Sequence, residues 1–156
     1  MLYFSGRAHA GENLATLVPQ RQATQAPLMV MSDALAANAT VGENVGLIRC
    51  YCLAHGHGKF RELADVFPAE CAVVIAALQQ VFDHEAVTQT RQMAPLERLA
   101  YHQQYSGPLM AALKAWLDTR FATHAVEPNG SLGKAIRYLQ TRWQGLTQFL
   151  RVLNAP

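Results

Sequence analysis

Hydrophobic positions along this chain change their period near residue 55. Before that point the apolar residues come in short runs with turn-formers at each end. Leu2, Tyr3 and Phe4 read as the tail of a strand, and Gly11 to Leu17 offers two turns of helix that stop before Pro19. A polar, Gln-rich stretch from Gln20 to Gln25 reads as a linker. Pro27 opens the run Leu28-Met29-Val30-Met31, which ends at Ser32-Asp33 and predicts a buried strand. Leu47 to Leu53 is apolar on both alternating faces, as a strand covered on both sides would be.

From His55 onward the spacing is helical. Phe60, Leu63, Ala64 and Phe67 stand at i, i+3, i+4 and i+7. Pro68 supplies a break and a first-turn start for a helix over 69–82, with Val74, Ile75, Leu78, Val81 and Phe82 facing a core. Pro95 starts another through Tyr105. Ser106-Gly107-Pro108 is expected to interrupt it before Leu109, Leu113, Trp116, Leu117 and Phe121 resume the stripe. After the turn Asn129-Gly130-Ser131, Leu132, Ile136, Leu139, Trp143, Leu146 and Leu150 predict a last amphipathic helix. The outline is α/β but mostly α: a small segment with strands over 1–60, then antiparallel helices over 61–156.

Composition narrows the class. The chain has 156 residues, 51% apolar and 15% charged, which is enough apolar material for one domain-sized core and excludes disorder. Its longest unbroken apolar run, Cys71 to Leu78, is eight residues. A membrane-spanning helix needs about 20. The opening Met-Leu-Tyr-Phe-Ser-Gly-Arg lacks a basic n-region, so no secretory signal is expected. Three cysteines make no disulfide framework and fit a reducing cytoplasm. A net charge of +2 permits contact with nucleic acid without arguing for it.

Candidate chemistry sits in four places. Asp33 follows a strand, where α/β folds build their sites; it could bind a divalent cation, but from spacing alone a helix N-cap is the favoured reading. Cys50, Cys52, His55 and His57 carry zinc-binding atoms, but C-x-C and H-x-H spacings fall outside the usual ligand pattern, and buried free cysteines are common in strands. His55, Gly56, His57, Gly58 and Lys59 open a helix, where backbone N–H groups and basic side chains hold phosphate or simply form a solvated basic turn. Arg7 and His9, beside Gly6 and Gly11, have the same two readings. Asp83-His84-Glu85 reads as a solvated turn, and His102 as a helix-surface or core-edge residue. Lys134, Arg137, Arg142 and Arg151 read as scattered around the last helix, with no single basic stripe. No phosphate-binding glycine loop, nucleophile elbow or zinc-protease motif occurs.

Several stretches together resemble the catalytic region of insertion-sequence transposases of the IS66 group. They are Tyr3-Phe4-Ser5-Gly6-Arg7-x-His9-x-Gly11-Glu12-Asn13-Leu14, Met31-Ser32-Asp33-Ala34-Leu35-x-x-Asn38, Cys52-Leu53-Ala54-His55-Gly56-x-x-Lys59-Phe60, and Phe67-Pro68-x-Glu70-Cys71. The likeness continues through Pro95-Leu96-Glu97-Arg98-Leu99-Ala100-x-His102, Val126-Glu127-Pro128-Asn129 and Gly133-Lys134-Ala135-Ile136 to Leu146-Thr147-x-Phe149-Leu150-Arg151.

The resemblance implies a ribonuclease-H-like DDE nuclease core, a helical insertion, and a DNA substrate. Two Asp and one Glu would hold two Mg²⁺ or Mn²⁺ ions, about 3.5–4 Å apart, for phosphodiester chemistry. Asp33 matches the second acid, both as catalytic residue and as metal ligand. His55 and Lys59 match a basic segment in which this chain has His57 and Gly58 where the family commonly shows two arginines, so a weaker phosphate grip is expected. The first Asp would lie on a strand before Met1 and the Glu on an Asn-Asn-x-x-Glu-Arg helix after Pro156. A fragment inactive by itself is therefore expected, with DNA and further copies of itself as expected partners, in the cytoplasm and on the nucleoid. The alternatives are a non-catalytic helical module for DNA binding or self-association, and a small zinc module.

Overall fold

A computed structural model describes residues 28–32 and 47–156. Two strands, β1 (Leu28–Ser32) and β2 (Leu47–Tyr51), pair in parallel, with Leu28 opposite Leu47 and Ser32 opposite Tyr51. Both lie where turn-bounded apolar runs predict them. The helices are α1 (Leu53–Arg61), α2 (Pro68–Thr90), α3 (Pro95–Ala122), α4 (Ser131–Thr141) and the single turn α5 (Trp143–Leu146). A 3₁₀ turn over Gln148–Leu150 closes the described chain. Among the described residues no helix is long and apolar enough to cross a membrane.

Four elements depart from the sequence expectation. The last amphipathic helix, expected through Leu150, ends at Thr141 and is followed by the single turn α5 and the 3₁₀ turn. The stripe from Phe60 to Phe67 is not one helix: α1 stops at Arg61, and turns carry Leu63, Ala64 and Phe67 back against the core. α2 runs on through Asp83-His84-Glu85 to Thr90, so that segment is helix rather than a solvated turn. α3 continues through Ser106-Gly107-Pro108 without a break. Proline in a helix interior removes one hydrogen bond and crowds the preceding turn. Here the residues flanking it, Ser106 and Met110, are both buried against the rest of the molecule, and that packing holds the helix together.

The four-residue link over 91–94 turns α3 back along α2, and the two pack as an antiparallel hairpin. The inward face of α2 is Cys71, Val74, Leu78, Val81, Glu85 and Thr88, a strict alternation of three- and four-residue steps. On α3 it is Arg98, His102, Ser106, Met110, Leu113 and Leu117. Each inward face is apolar at one end and polar at the other, and antiparallel packing sets polar against polar. Phe60, Leu132, Ile136, Leu139, Leu146 and Phe149 complete the apolar core.

Two glycines permit close approach. A Cβ on Gly56 of α1 would stand 2.8 Å from Leu139 Cδ2 of α4, so the missing side chain lets these helices touch. A Cβ on Gly145 would enter the Tyr51 ring, which fixes α5 against β2.

Candidate functional site

The described residues offer two polar features. The first is built where the inward faces of α2 and α3 turn polar. Glu85 Oε2 accepts hydrogen bonds from Arg98 Nε (2.9 Å), His102 Nε2 (2.8 Å) and the Thr88 hydroxyl (3.1 Å), while Oε1 accepts from Gln89 Nε2 (2.7 Å). Arg98 Nη1 donates to the Ala155 carbonyl at 2.7 Å and so fastens the last described residues to α3. His102 Nδ1 lies 3.0 Å from Ser106 Oγ, which is 3.1 Å from His84 Nδ1.

Chemistry gives this chain a direction. A carboxylate only accepts, so His102 carries its proton on Nε2. Burial lowers the His102 pKa, and the hydrogen bond and charge of Glu85 only partly offset it. The ring is therefore neutral near pH 7, Nδ1 accepts from Ser106, and Ser106 accepts from His84. Burial alone would raise the Glu85 pKa, but hydrogen bonds from Gln89, Arg98 and His102, with the Arg98 charge, hold it at about 2. The ion pair is thus Glu85 with Arg98, and the His102 contact is a neutral-donor hydrogen bond.

A pocket of ≈ 250 Å³ opens beside this network, lined by Met31, Tyr51, Cys52, Phe82, Glu85, Arg98 and His102 among others. Met31, Tyr51 and Cys52 stand at the carboxyl ends of the two parallel strands, the usual place for a site in an α/β sheet. Asp33 follows β1 directly in sequence but lies outside the described residues, as do Arg7 and His9.

The second feature is a basic cleft of ≈ 520 Å³ between α1 and α4, lined by Lys59, Glu62, Lys134, Arg137, Tyr138 and Arg142. Lys59 Nζ sits 4.8 Å and the Arg142 guanidinium 4.5 Å from the centre of the Tyr138 ring. The Arg137 guanidinium lies 5.8 Å from the Phe121 ring. Among the described residues Lys59, Lys134, Arg137 and Glu62 take part in no salt bridge.

The sequence-predicted phosphate set divides here. His55 and Lys59, one helical turn apart, share a face and both meet the Tyr138 ring, with the His55 ring 5.7 Å away. His57 stands between them in sequence and faces the other way, edge-on to Phe82 at 5.5 Å. Burial and the nearby Arg61 lower its pKa. The glycines of this segment lie within α1, so from Gly56 onward the backbone N–H groups are committed to the helix rather than open to an anion.

Other expectations are corrected. Cys50 is buried, Cys52 half-buried, and the two histidines diverge; among the described residues no three His, Cys, Asp or Glu side chains gather as a metal site. Cys50, Cys52, His55 and His57 therefore do not come together as a zinc site in this structure. His102 is buried, at 1% exposure, instead of at a core edge. Lys134, Arg137 and Arg142 are not scattered: they line one cleft, and only Arg151 departs, bonding Gln144 and Thr147. Lys134, Arg137 and Tyr138 stand at i, i+3 and i+4, a helical spacing present in the sequence, and Arg142 joins them from the residue just after α4.

These features define a mostly helical α/β protein with a strand-end pocket and a separate basic cleft. The chain matches the family described as Transposase IS66 family over residues 9–156, and it belongs to that family. No match is found among curated proteins or among solved structures.

The His102 environment sets a pH dependence. A histidine whose pKa is lowered on folding contributes stability that is full above about 6.5 and is lost as pH falls below that value. Urea unfolding followed by circular dichroism is expected to show stability falling from pH 7.5 to 5. In His102→Gln, whose amide donates to Glu85 and accepts from Ser106, the slope should flatten. His57 has the same sign and adds to the slope. An unchanged slope in the variant would show that His102 binds its proton equally in both states.

Proposed function

We propose that this chain is part of the catalytic region of a DDE transposase, acting on mobile-element DNA through phosphodiester cleavage and joining. The observation that carries this is the family match over residues 9–156. It is supported by a parallel strand pair of the kind found in a ribonuclease-H-like core, with a pocket at the carboxyl ends of both strands and Asp33 the next residue in sequence after β1. Asp33 is assigned as one catalytic acid and metal ligand, with Mg²⁺ or Mn²⁺ as the cation.

The described residues do not themselves fit a pair of cations. Glu85, the carboxylate lining the strand-end pocket, has both oxygens engaged by donors and an arginine as its counter-charge. A ligand must offer free lone pairs, so Glu85 is a structural acid. When bound, a divalent pair polarises the phosphodiester and activates the attacking oxygen. With Asp33 as the one acid assigned and no cluster of metal-ligating side chains among the described residues, the 156-residue polypeptide is expected not to cut DNA by itself.

The purified chain is expected to leave supercoiled plasmid intact in Mg²⁺ and in Mn²⁺ over hours. Nicking that disappears in Asp33→Asn would overturn the inactivity while confirming Asp33. Nicking that persists in that variant would overturn the assignment of Asp33.

A further inference from the structure

We propose that the cleft between α1 and α4 is a binding site for the sugar-phosphate backbone of duplex DNA, reading charge and not base sequence. The proposal rests on the chain being a DNA-acting transposase but not on Asp33 or on any cation.

Four cations from two elements converge there. Lys134, Arg137 and Arg142 come from one face of α4 and its carboxyl end, and Lys59 comes from α1 across the cleft. Lys134 to Arg142 spans eight residues, about 12 Å of helix. Along that length of duplex axis one strand presents three or four phosphates, at about 3.4 Å each. Charge therefore repeats on both sides over a matching distance.

The aromatic residue decides how the cleft is used. Bases stack on an open aromatic face. The Tyr138 ring instead has Lys59 and Arg142 packed against it, within the range of cation–π attraction. The ring holds these two long side chains in place, which lowers the entropy they lose on meeting a phosphate. Phe121 does the same for Arg137. Lys134 has no partner among the described residues and is exposed, so its charge is available outright.

One carboxylate, Glu62, also lines the cleft. It forms no salt bridge among the described residues, and the four cations outnumber it, so the cleft stays net positive. An acidic peptide would meet the same charge; the family's substrate is DNA, and this favours the nucleic acid.

Anisotropy of a labelled 30-base-pair duplex of arbitrary sequence, titrated with the purified chain in EDTA, tests the site. EDTA removes cation-dependent chemistry, so the result is independent of the nicking experiment. Three or four phosphate contacts predict an affinity loss of about 40- to 150-fold between 50 and 200 mM salt. Changing the duplex sequence should leave affinity unchanged. Lys134→Glu should weaken binding and reduce the salt slope by about one. Arg91→Glu, the same charge change on the α2–α3 link, should not alter the slope, and circular dichroism checks that both variants fold. Absence of binding, or equal effects of the two substitutions, overturns the site while leaving the catalytic assignment to the plasmid test. A poly-aspartate peptide that binds in a Lys134-dependent way where the duplex does not would overturn it in favour of an acidic protein partner.

Discussion

Replacing Arg98 by methionine should destabilise the fold by about 2–3 kcal/mol, just below the roughly 3–5 kcal/mol that breaking a fully buried ion pair costs. Two groups lose a partner at once. Glu85, whose pKa is lowered to about 2 in the native protein, stays ionised but loses the cation that offsets its burial. The Ala155 carbonyl loses its 2.7 Å donor, and Ala155 itself is fully buried. The Glu85 side chain remains 33% exposed, so water recovers part of the loss and the figure stays below that of a sealed pair. A double-mutant cycle with Glu85→Gln isolates the interaction and is expected to give a coupling above about 1 kcal/mol. The Lys114–Asp118 pair, exposed and one helical turn apart on α3, is the internal comparison, with an expected coupling of about 0.3–0.5 kcal/mol. Equal couplings at the two sites, read from urea unfolding, would show that Glu85 is no more buried in effect than a surface acid.

The same network explains where the sequence was hard to read. β1 and β2 were legible because a short apolar run between turn-formers has few other outcomes. The starts of α2 and α3 were legible because proline favours the first helical position. Their lengths were not. Asp83-His84-Glu85 looks like a turn when only apolar residues are counted as inward, yet Glu85 continues the phase of Leu78 and Val81. Arg98, His102 and Ser106 likewise precede Met110 in steps of four. A polar inward face is stable only if another polar face opposes it, and that pairing is a property of the hairpin rather than of either segment. The cleft divides in the same way: its α4 side is a helical stripe in the sequence, whereas Lys59 joins it only through the α1–α4 contact that Gly56 permits. Asp33, the residue on which the chemistry depends, was legible from the resemblance and lies outside the described structure.

Two glycines in helices should respond to alanine with opposite signs. Alanine in a helix interior is ordinarily favoured over glycine by about 0.5–1 kcal/mol. Gly58, within α1, has nothing within 4 Å of the place a Cβ would occupy, so Gly58→Ala should gain that amount. Gly133 lies in the first turn of α4, where the backbone carbonyls of Glu127 and Pro128 fold over it; an added Cβ would overlap the Glu127 oxygen and stand 2.8 Å from that of Pro128. Neither obstacle is a side chain that can swing aside. The loop is itself pinned, since Gly130 N donates to Glu127 O at 3.2 Å and Lys134 N to Gly130 O at 2.9 Å. Overpacking of this kind costs about 1–3 kcal/mol, and a backbone obstacle argues for the upper end, so Gly133→Ala should be destabilising despite the helical gain. Because Lys134 and Arg137 ride on the same turns, the shift should also weaken duplex binding at the cleft. Chemical denaturation of the two variants decides the matter: a stabilised Gly133→Ala would mean that the loop over α4 yields freely, and that the helix holding the cleft's cations is not fixed by it.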